Sequence, residues 1–374
     1  MVATVDATGT LAALAGLDLM TVGRLHALLD HHEPDEAFAV AAGRAVPAPA
    51  VAAMMRPPVA AAWRASAATR DPATWTDVCR NVGIVAITAR DDAFPDPLRV
   101  DPQPPAVLFI RGKLDVLGAR RAGIVGTRNA TQGGRDSAFA LGQALAEAGV
   151  TVVSGLAKGI DGAAHRGVLA VADGRPAAVV GNGPDRPYPR AHTELWAEVC
   201  SRGVLLSEWP PGTPPEPFRF PMRNRILAAL SEVLVVVESR ERGGSLITAQ
   251  AALERSIDVL AVPGSPRNRA AAGTNHLLRD GAAPVTGVDD VLVALGLDTR
   301  RTAATAFDPR PLPRGVEAAV LAACRDDPRT LDDVVTALAL PMAEAAMALA
   351  RLERTGWVRE SGGWFEPVVS WSSR

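Results

Sequence analysis

Between Ala122 and Thr286 the chain repeats one pattern: a short, continuous apolar run followed by a segment able to form a helix. The runs are AGIVG (122–126), VTVV (150–153), PAAVV (176–180), VLLS (204–207), VLVVVE (233–238), DVLAVPG (258–264) and APVT (283–286). Unbroken Val/Ile/Leu runs, as opposed to alternating ones, describe strands buried on both faces. RDSAFALGQALAEAG and ITAQAALERS, between such runs, are compatible with helices. Strands alternating with helices require right-handed crossovers, so an α/β fold with a doubly wound parallel sheet is expected. VGIVAIT (82–88) and AVLFIRG (106–112) add strands at the front edge of that sheet.

The flanks differ. LAALAGLDLMTVGRLHALLDHH carries apolar positions at helical spacing around Gly16 and Gly23 and predicts a small helical piece. The Ala/Pro-rich stretch from about 47 to 73 reads as a linker with minor helices. After Leu297 comes the polar TRRTAATAFDPRPLPR, again a linker. GVEAAVLAACRDD, TLDDVVTALAL and MAEAAMALARLERTG then predict three helices, and WVRESGGWFEPV predicts a hairpin turning at Gly362-Gly363. Three helices and a hairpin make a winged helix-turn-helix. The expected division is a helical N-terminal module with linker over 1–75, a Rossmann-like domain over 76–297, a linker over 298–313 and a winged-helix-like domain over 314–374. A length of 374 residues fits two or three domains at about 150 residues each.

In an open parallel sheet, ligands bind beyond the carboxyl ends of the strands. The loops there are GTRNATQGG (126–134), SGLAKGIDG (154–162), GNGPDRPYPRAH (181–192), EWPPGTPPEPFRFPMRNR (208–225), SRERGGSLITA (239–249) and SPRNRAAAGTN (265–275). Glycines let backbone N–H groups approach a phosphate, and helix N-termini supply partial positive charge. Arginines add fork-shaped donors. A single basic glycine loop is a weak signal; six on one sheet edge describe a polyanion site. The net charge of −2 excludes a uniformly basic surface, so that site rests on local clustering. Of 39 basic residues only Lys113 and Lys158 are lysines, a skew that codon usage alone can produce.

Several other ligands are set aside. No loop reads G-x-G-x-x-G, and none reads G-x-x-x-x-G-K-[ST]. Asp161 and His165, four residues apart, have no third metal ligand; Asp161 reads as a cap of the helix GAAHRGVLA and His165 as a packed or locally bonded side chain. Ser154 and Ser245 lack a nucleophile-elbow context. No cofactor is expected. Cys79, Cys200 and Cys324 are far apart, have no zinc spacing and read as small core residues in a reducing cytoplasm. The N-terminal MVATVDATGT has no signal-peptide pattern, and no apolar run is long enough for a membrane span. Trp209 and Phe218–Phe220 are able to stack on bases, although aromatics beside prolines more often pack.

VGTRNAT, VVSGLAKGIDGAAH, VVGNGPDRPYPRAH, LLSEWPPGTPP, FPMRNRILAALS, VLVVVES, GGSLITAQAAL, AVPGS and GTNHLLRDGA follow one another over Gly126–Ala282. In this order they resemble the DNA-processing protein A family (DprA, also called Smf). The resemblance implies an extended Rossmann-like fold, flanked by a degenerate helix-hairpin-helix module and a winged-helix-like domain. It also implies a dimeric, non-enzymatic single-stranded DNA-binding protein that protects incoming DNA in natural transformation and loads the RecA recombinase. Its basic pocket falls on Arg128, Arg190, Lys158 and the RNR segment, Arg223, Asn224 and Arg225. Ser154 and Gly155, and Gly244 and Ser245, would supply further contacts, with Asp161 as a structural cap. One departure is visible: the family's Ser-Gly-Ser before LITA is Gly243-Gly244-Ser245 here, which removes one hydroxyl.

Two rival readings remain open at this level. A Rossmann-like nucleoside-monophosphate phosphoribohydrolase would use GGSLITAQAALE with Glu254 or Glu238 as the acid–base group. A transcription factor would read DNA through PMAEAAMALARLERTG, whose Arg351 and Arg354 are offset by Glu344 and Glu353, a poor balance for a helix lying on phosphates.

Overall fold

A computed structural model describes residues 7–297, 310, 312–324 and 328–368, which fall into two compact units, Met1–Asp298 and Thr299–Arg374. The first unit is built on nine strands: β1 (Ile84–Ile87), β2 (Leu108–Gly112), β3 (Arg121–Val125), β4 (Thr151–Ser154), β5 (Pro176–Val179), β6 (Val204–Ser207), β7 (Val233–Val236), β8 (Asp258–Ala261) and β9 (Ala283–Pro284). Their order is β1-β2-β6-β5-β4-β3-β7-β8-β9. From β6 to β9 all pairings are parallel. The β1–β2 and β2–β6 pairings are antiparallel. β4, β5, β6 and β7 are buried at every position, as their unbroken apolar runs require.

Helices cover both faces. Ile226, Leu227 and Leu230 of helix Arg219–Leu230, with Ala249 and Ala252 of helix Gly244–Leu253, pack on one side. Helices Gln132–Glu147 and Ile160–Leu169 cover the other through Leu141, Leu145, Ala164 and Val168. Those two lie close because Gly142 faces the Ala164 carbonyl, where a Cβ would stand only 2.3 Å from the oxygen. The chain lays down β3 to β6 in one direction and then returns to β7 on the far side of β3. The crevice between the ends of β3 and β7 is therefore the topological switch point.

Among the described residues six helices precede β1: Thr8–Ala15, Val22–His31, Pro34–Ala41, Pro49–Met54, Pro57–Ala67 and Pro72–Val82. They share one core with Ile84, Ala86 and Phe109 of β1 and β2. The Ala/Pro-rich stretch is thus part of a packed layer and not a linker, with Val51, Val59 and Trp63 fully or nearly fully buried. Pro49, Pro57 and Pro58 stand in first helical turns, where the missing N–H costs nothing. The last of these helices also runs through the boundary expected at residue 75.

The second unit contains helices Val316–Cys324, Leu331–Leu338 and Met342–Arg354 around Val320, Val334, Leu349 and Leu352. β10 (Arg329–Thr330), β11 (Val358–Ser361) and β12 (Trp364–Pro367) form a sheet in the order β10-β12-β11. The β11–β12 turn holds Gly362 and Gly363 at φ 62° and 86°, a conformation that favours glycine. This is the expected winged helix. Of the expected linker, 298–309 and 311 lie outside the described residues. Among those described, no single helix is long and apolar enough to cross a membrane.

Candidate nucleic-acid interface

The loop after β3 is fixed by Glu238, at the end of the VLVVVE run that contains β7. Thr131 donates to the Glu238 carboxylate through its backbone N–H at 2.9 Å and its hydroxyl at 2.6 Å. Thr127 N–H donates to the Glu238 carbonyl at 2.7 Å. The loop after β4 lies directly against it. Gly159 (φ 77°) is 2.3 Å from the Thr127 oxygen at its would-be Cβ, so only glycine permits this approach. With both loops anchored from below, Arg128, Asn129 and Lys158 are left exposed at the top.

Beneath them lies a polar floor. Arg223, on helix Arg219–Leu230, is 4% exposed. Its Nη1 donates to the Gly155 carbonyl at 3.0 Å and to the Val179 carbonyl. Burial lowers this guanidinium to about 10, the Asp161 carboxylate restraining the shift. Burial correspondingly raises the Asp161 carboxyl, against the pull of Arg223 and of the Ala157 backbone N–H. Gly155 is obligatory here, since a Cβ would lie 2.4 Å from Arg223 and 2.6 Å from Asp161. His165, one turn after Asp161, is fully buried, and neither ring nitrogen has a partner among the described residues. Desolvation, assisted by His192 and Arg223, lowers it to about 3, so it packs as a neutral ring.

Above this floor two adjoining clefts open. The outer, of about 240 Å³, is lined by Arg128, Lys158, Asn182, Tyr188 and Phe220 among others. The Tyr188 and Phe220 rings stack at 5.5 Å between centroids, and the Arg128 guanidinium covers the Phe220 ring at 4.8 Å. The inner, of about 470 Å³, fills the switch point and shares Arg128, Asn129, Tyr188 and Phe220 with the outer. Its far wall holds Arg240, Arg242 and the segment Gly243–Ser245, which opens helix Gly244–Leu253 without a side-chain cap. Around this edge Arg128, Lys158, Arg186, Arg190, Arg240, Arg242, Arg267 and Arg269 are exposed, and none is in an ion pair among the described residues.

The sequence profile of the DNA recombination-mediator protein A family matches residues 85–296, and that of the DprA winged helix domain matches 303–363. The chain belongs to the DNA recombination-mediator protein A family. Protein Smf of Synechocystis is 34% identical over 74% of this chain and 78% of its own length. DNA processing protein DprA of Bacillus subtilis is 41% identical over 58% and 73%. The X-ray structure of DprA from Streptococcus pneumoniae superposes with a TM-score of 0.65 at 31% identity, covering 77% of this chain and 97% of that one. DprA from Helicobacter pylori, whose structure describes a single-stranded DNA binding mode, gives 0.52 at 25% identity over 57% and 95%.

Within this family member, the residues expected to form the basic pocket divide sharply. Arg128, Lys158, Arg190 and Gly244 are exposed on the strand-end edge, and Asn224 lines the inner cleft. Ser154 does not face a ligand: it is fully buried and its hydroxyl donates to the Ile124 carbonyl at 2.6 Å. Gly155 is buried with its carbonyl occupied by Arg223, although its backbone borders the outer cleft. Arg223 is a floor residue and not a solvent-facing donor. Arg225 is committed to an ion pair with the buried Glu208, whose carboxyl is raised by burial and pulled back by Arg225. The Ser245 hydroxyl is buried on Ser239 at 2.9 Å. Asp161 is not the cap, because Gly159 occupies that position and Asp161 lies inside the first turn.

Arg240 and Arg242 belong to the cleft but were not singled out by sequence reasoning, although their loop was. The carboxylates of the hydrolase reading are elsewhere: Glu238 is spent on Thr131, and Glu254 is exposed at a helix end, bonded by Gln250 at 3.1 Å. Neither lines either cleft.

Proposed function

We propose that this chain binds single-stranded DNA along the strand-end edge, without sequence preference, and acts as a non-enzymatic recombination mediator. The observation that carries this reading is a row of exposed cations, in no ion pair among the described residues, bordering a stacked Tyr188–Phe220–Arg128 platform. Phosphates of any sequence satisfy such cations, and exposed base faces suit an aromatic platform. A duplex hides those faces. We extend this reading with what the family resemblance in the sequence implies: the protein protects incoming DNA during transformation in the cytoplasm, works as a homodimer and hands the strand to the RecA recombinase. Competition between single- and double-stranded oligonucleotides of one sequence tests the binding: a strong preference for the single strand is expected, and equal affinity would overturn it.

A further inference from the structure

The loop after β5 carries Arg186, Tyr188 and Arg190 outward and returns to the interior at His192. Its first half is held by several bonds. The Asn182 amide donates to the Gly183 carbonyl at 3.1 Å, the Gly212 N–H to Asp185 at 2.9 Å and the Trp196 indole to the Pro184 carbonyl at 3.1 Å. The second half presents Tyr188, which lines both clefts, and the exposed Arg190. Among the described residues it has one side-chain hydrogen bond to another loop: Nδ1 of the almost fully buried His192 meets the Leu156 carbonyl at 3.0 Å. A carbonyl only accepts, so Nδ1 carries the proton and donates. Leu156 holds a left-handed φ of 54°, which a leucine adopts only where its surroundings enforce it. Its side chain is buried with Leu195 and Trp196 of helix Thr193–Arg202, the helix that His192 leads into. Two residues beyond Leu156, Lys158 is exposed at the outer cleft. The His192 ring is wedged against Gly162, where a Cβ would stand 2.6 Å from Cε1. One buried hydrogen bond, in a slot that only a glycine leaves open, thus joins the loop of the aromatic platform to the loop of a cation.

We propose that His192 is a positioning residue of the groove: it fixes the spacing between Tyr188 and Lys158, so that base stacking and phosphate contact occur together. This assignment rests on the single-stranded DNA reading. Two amide substitutions separate the ring nitrogens. The Asn amide nitrogen, like Nδ1, is bonded to Cγ, whereas the Gln amide nitrogen stands one atom farther out, near the place of Nε2. His192→Asn should therefore keep the bond to Leu156, and His192→Gln should lose it. Tyr188 is the only tyrosine of the chain, so 3-fluorotyrosine puts a single label on the platform. In fluorine NMR, His192→Gln should move that resonance towards its position in the urea-unfolded chain, and His192→Asn should leave it in place. Single-strand affinity is measured at a temperature where circular dichroism shows every variant folded. His192→Gln should bind about fivefold more weakly, the factor that one net hydrogen bond is worth, and keep the parent salt slope because the phosphate contacts remain. Gly162→Ala retains His192 and the better helix former but fills the slot, and should shift the resonance and weaken binding in the same way. Parent affinity with an unmoved resonance in both His192→Gln and Gly162→Ala would overturn the proposal, as would equal losses in His192→Asn and His192→Gln. Should the parent bind no strand, the DNA-binding reading falls, and the resonance alone decides whether His192 holds Tyr188.

Discussion

Arg128 and Arg225 come from two loops with the same basic character, yet the fold uses them in opposite ways. Arg128 stands over Phe220 at the mouth of the clefts with no ion pair among the described residues, whereas Arg225 is mostly buried on Glu208. Arg223, two residues earlier, lies under the floor against Asp161. A basic motif at a strand end therefore supplies two things: cations for a ligand, and the buried polar framework that holds the loops carrying them.

The largest effect that distinguishes the two classes falls on Arg223. Arg223→Ala leaves Asp161 buried without its cation and two carbonyls without donors. Removal of one partner of a buried pair costs about 3–5 kcal/mol. The first unit should unfold at clearly lower denaturant, and a variant as stable as the parent would show that the floor is not structural.

His165 supplies the next test. Its pKa is held near 3 in the folded state against 6.5 when exposed, so the unfolded chain takes up this proton first. Its contribution to stability is full above pH 6.5 and is lost as pH falls from there towards 3. The loss approaches 1.36 kcal/mol per pH unit, or about 2 kcal/mol between pH 6.5 and 5. His165→Leu should remove that part of the acid slope; an unchanged slope between pH 6.5 and 5 in urea titrations would place the proton elsewhere.

On the cation side, Lys158→Ala and Arg190→Ala should each weaken single-strand binding several-fold and leave melting unaltered. The smallest effect is expected from deleting Thr305 to Arg374: the free cations of the groove all lie in the first unit, so most binding should persist. Loss of most binding in a truncated chain that still melts cooperatively would move the main contacts to the winged helix.

The sheet was legible because short β-branched runs such as VLVVVE and TVVS recur between helical segments, the pattern of strands covered on both faces. The buried arginines were not, because a motif reading assigns side chains by composition. Helical phase was the available signal. Arg223 is three and four residues before the buried Ile226 and Leu227, which places it on the core face of its helix. The same holds for Val59, Trp63 and Ala67, whose four-residue spacing marks a buried helix inside a stretch that its prolines and alanines disguise as a linker. Pairings across the fold, such as Glu238 with Thr131 or Arg225 with Glu208, leave no local trace. They depend on which loops the sheet order brings together.

The most direct test pairs Arg128→Ala with Arg225→Ala and measures, for each, melting and the salt dependence of affinity for a hydroxyl-ended single strand. Each phosphate contact adds about −0.7 to the log–log salt slope. Arg128→Ala should melt like the parent and flatten the slope by about 0.7. Arg225→Ala should melt earlier, with Glu208 left buried and unpaired, and keep the parent slope. The reverse result, early melting with an unchanged slope for Arg128→Ala and normal melting with a flattened slope for Arg225→Ala, would contradict the division into ligand-facing and structural arginines.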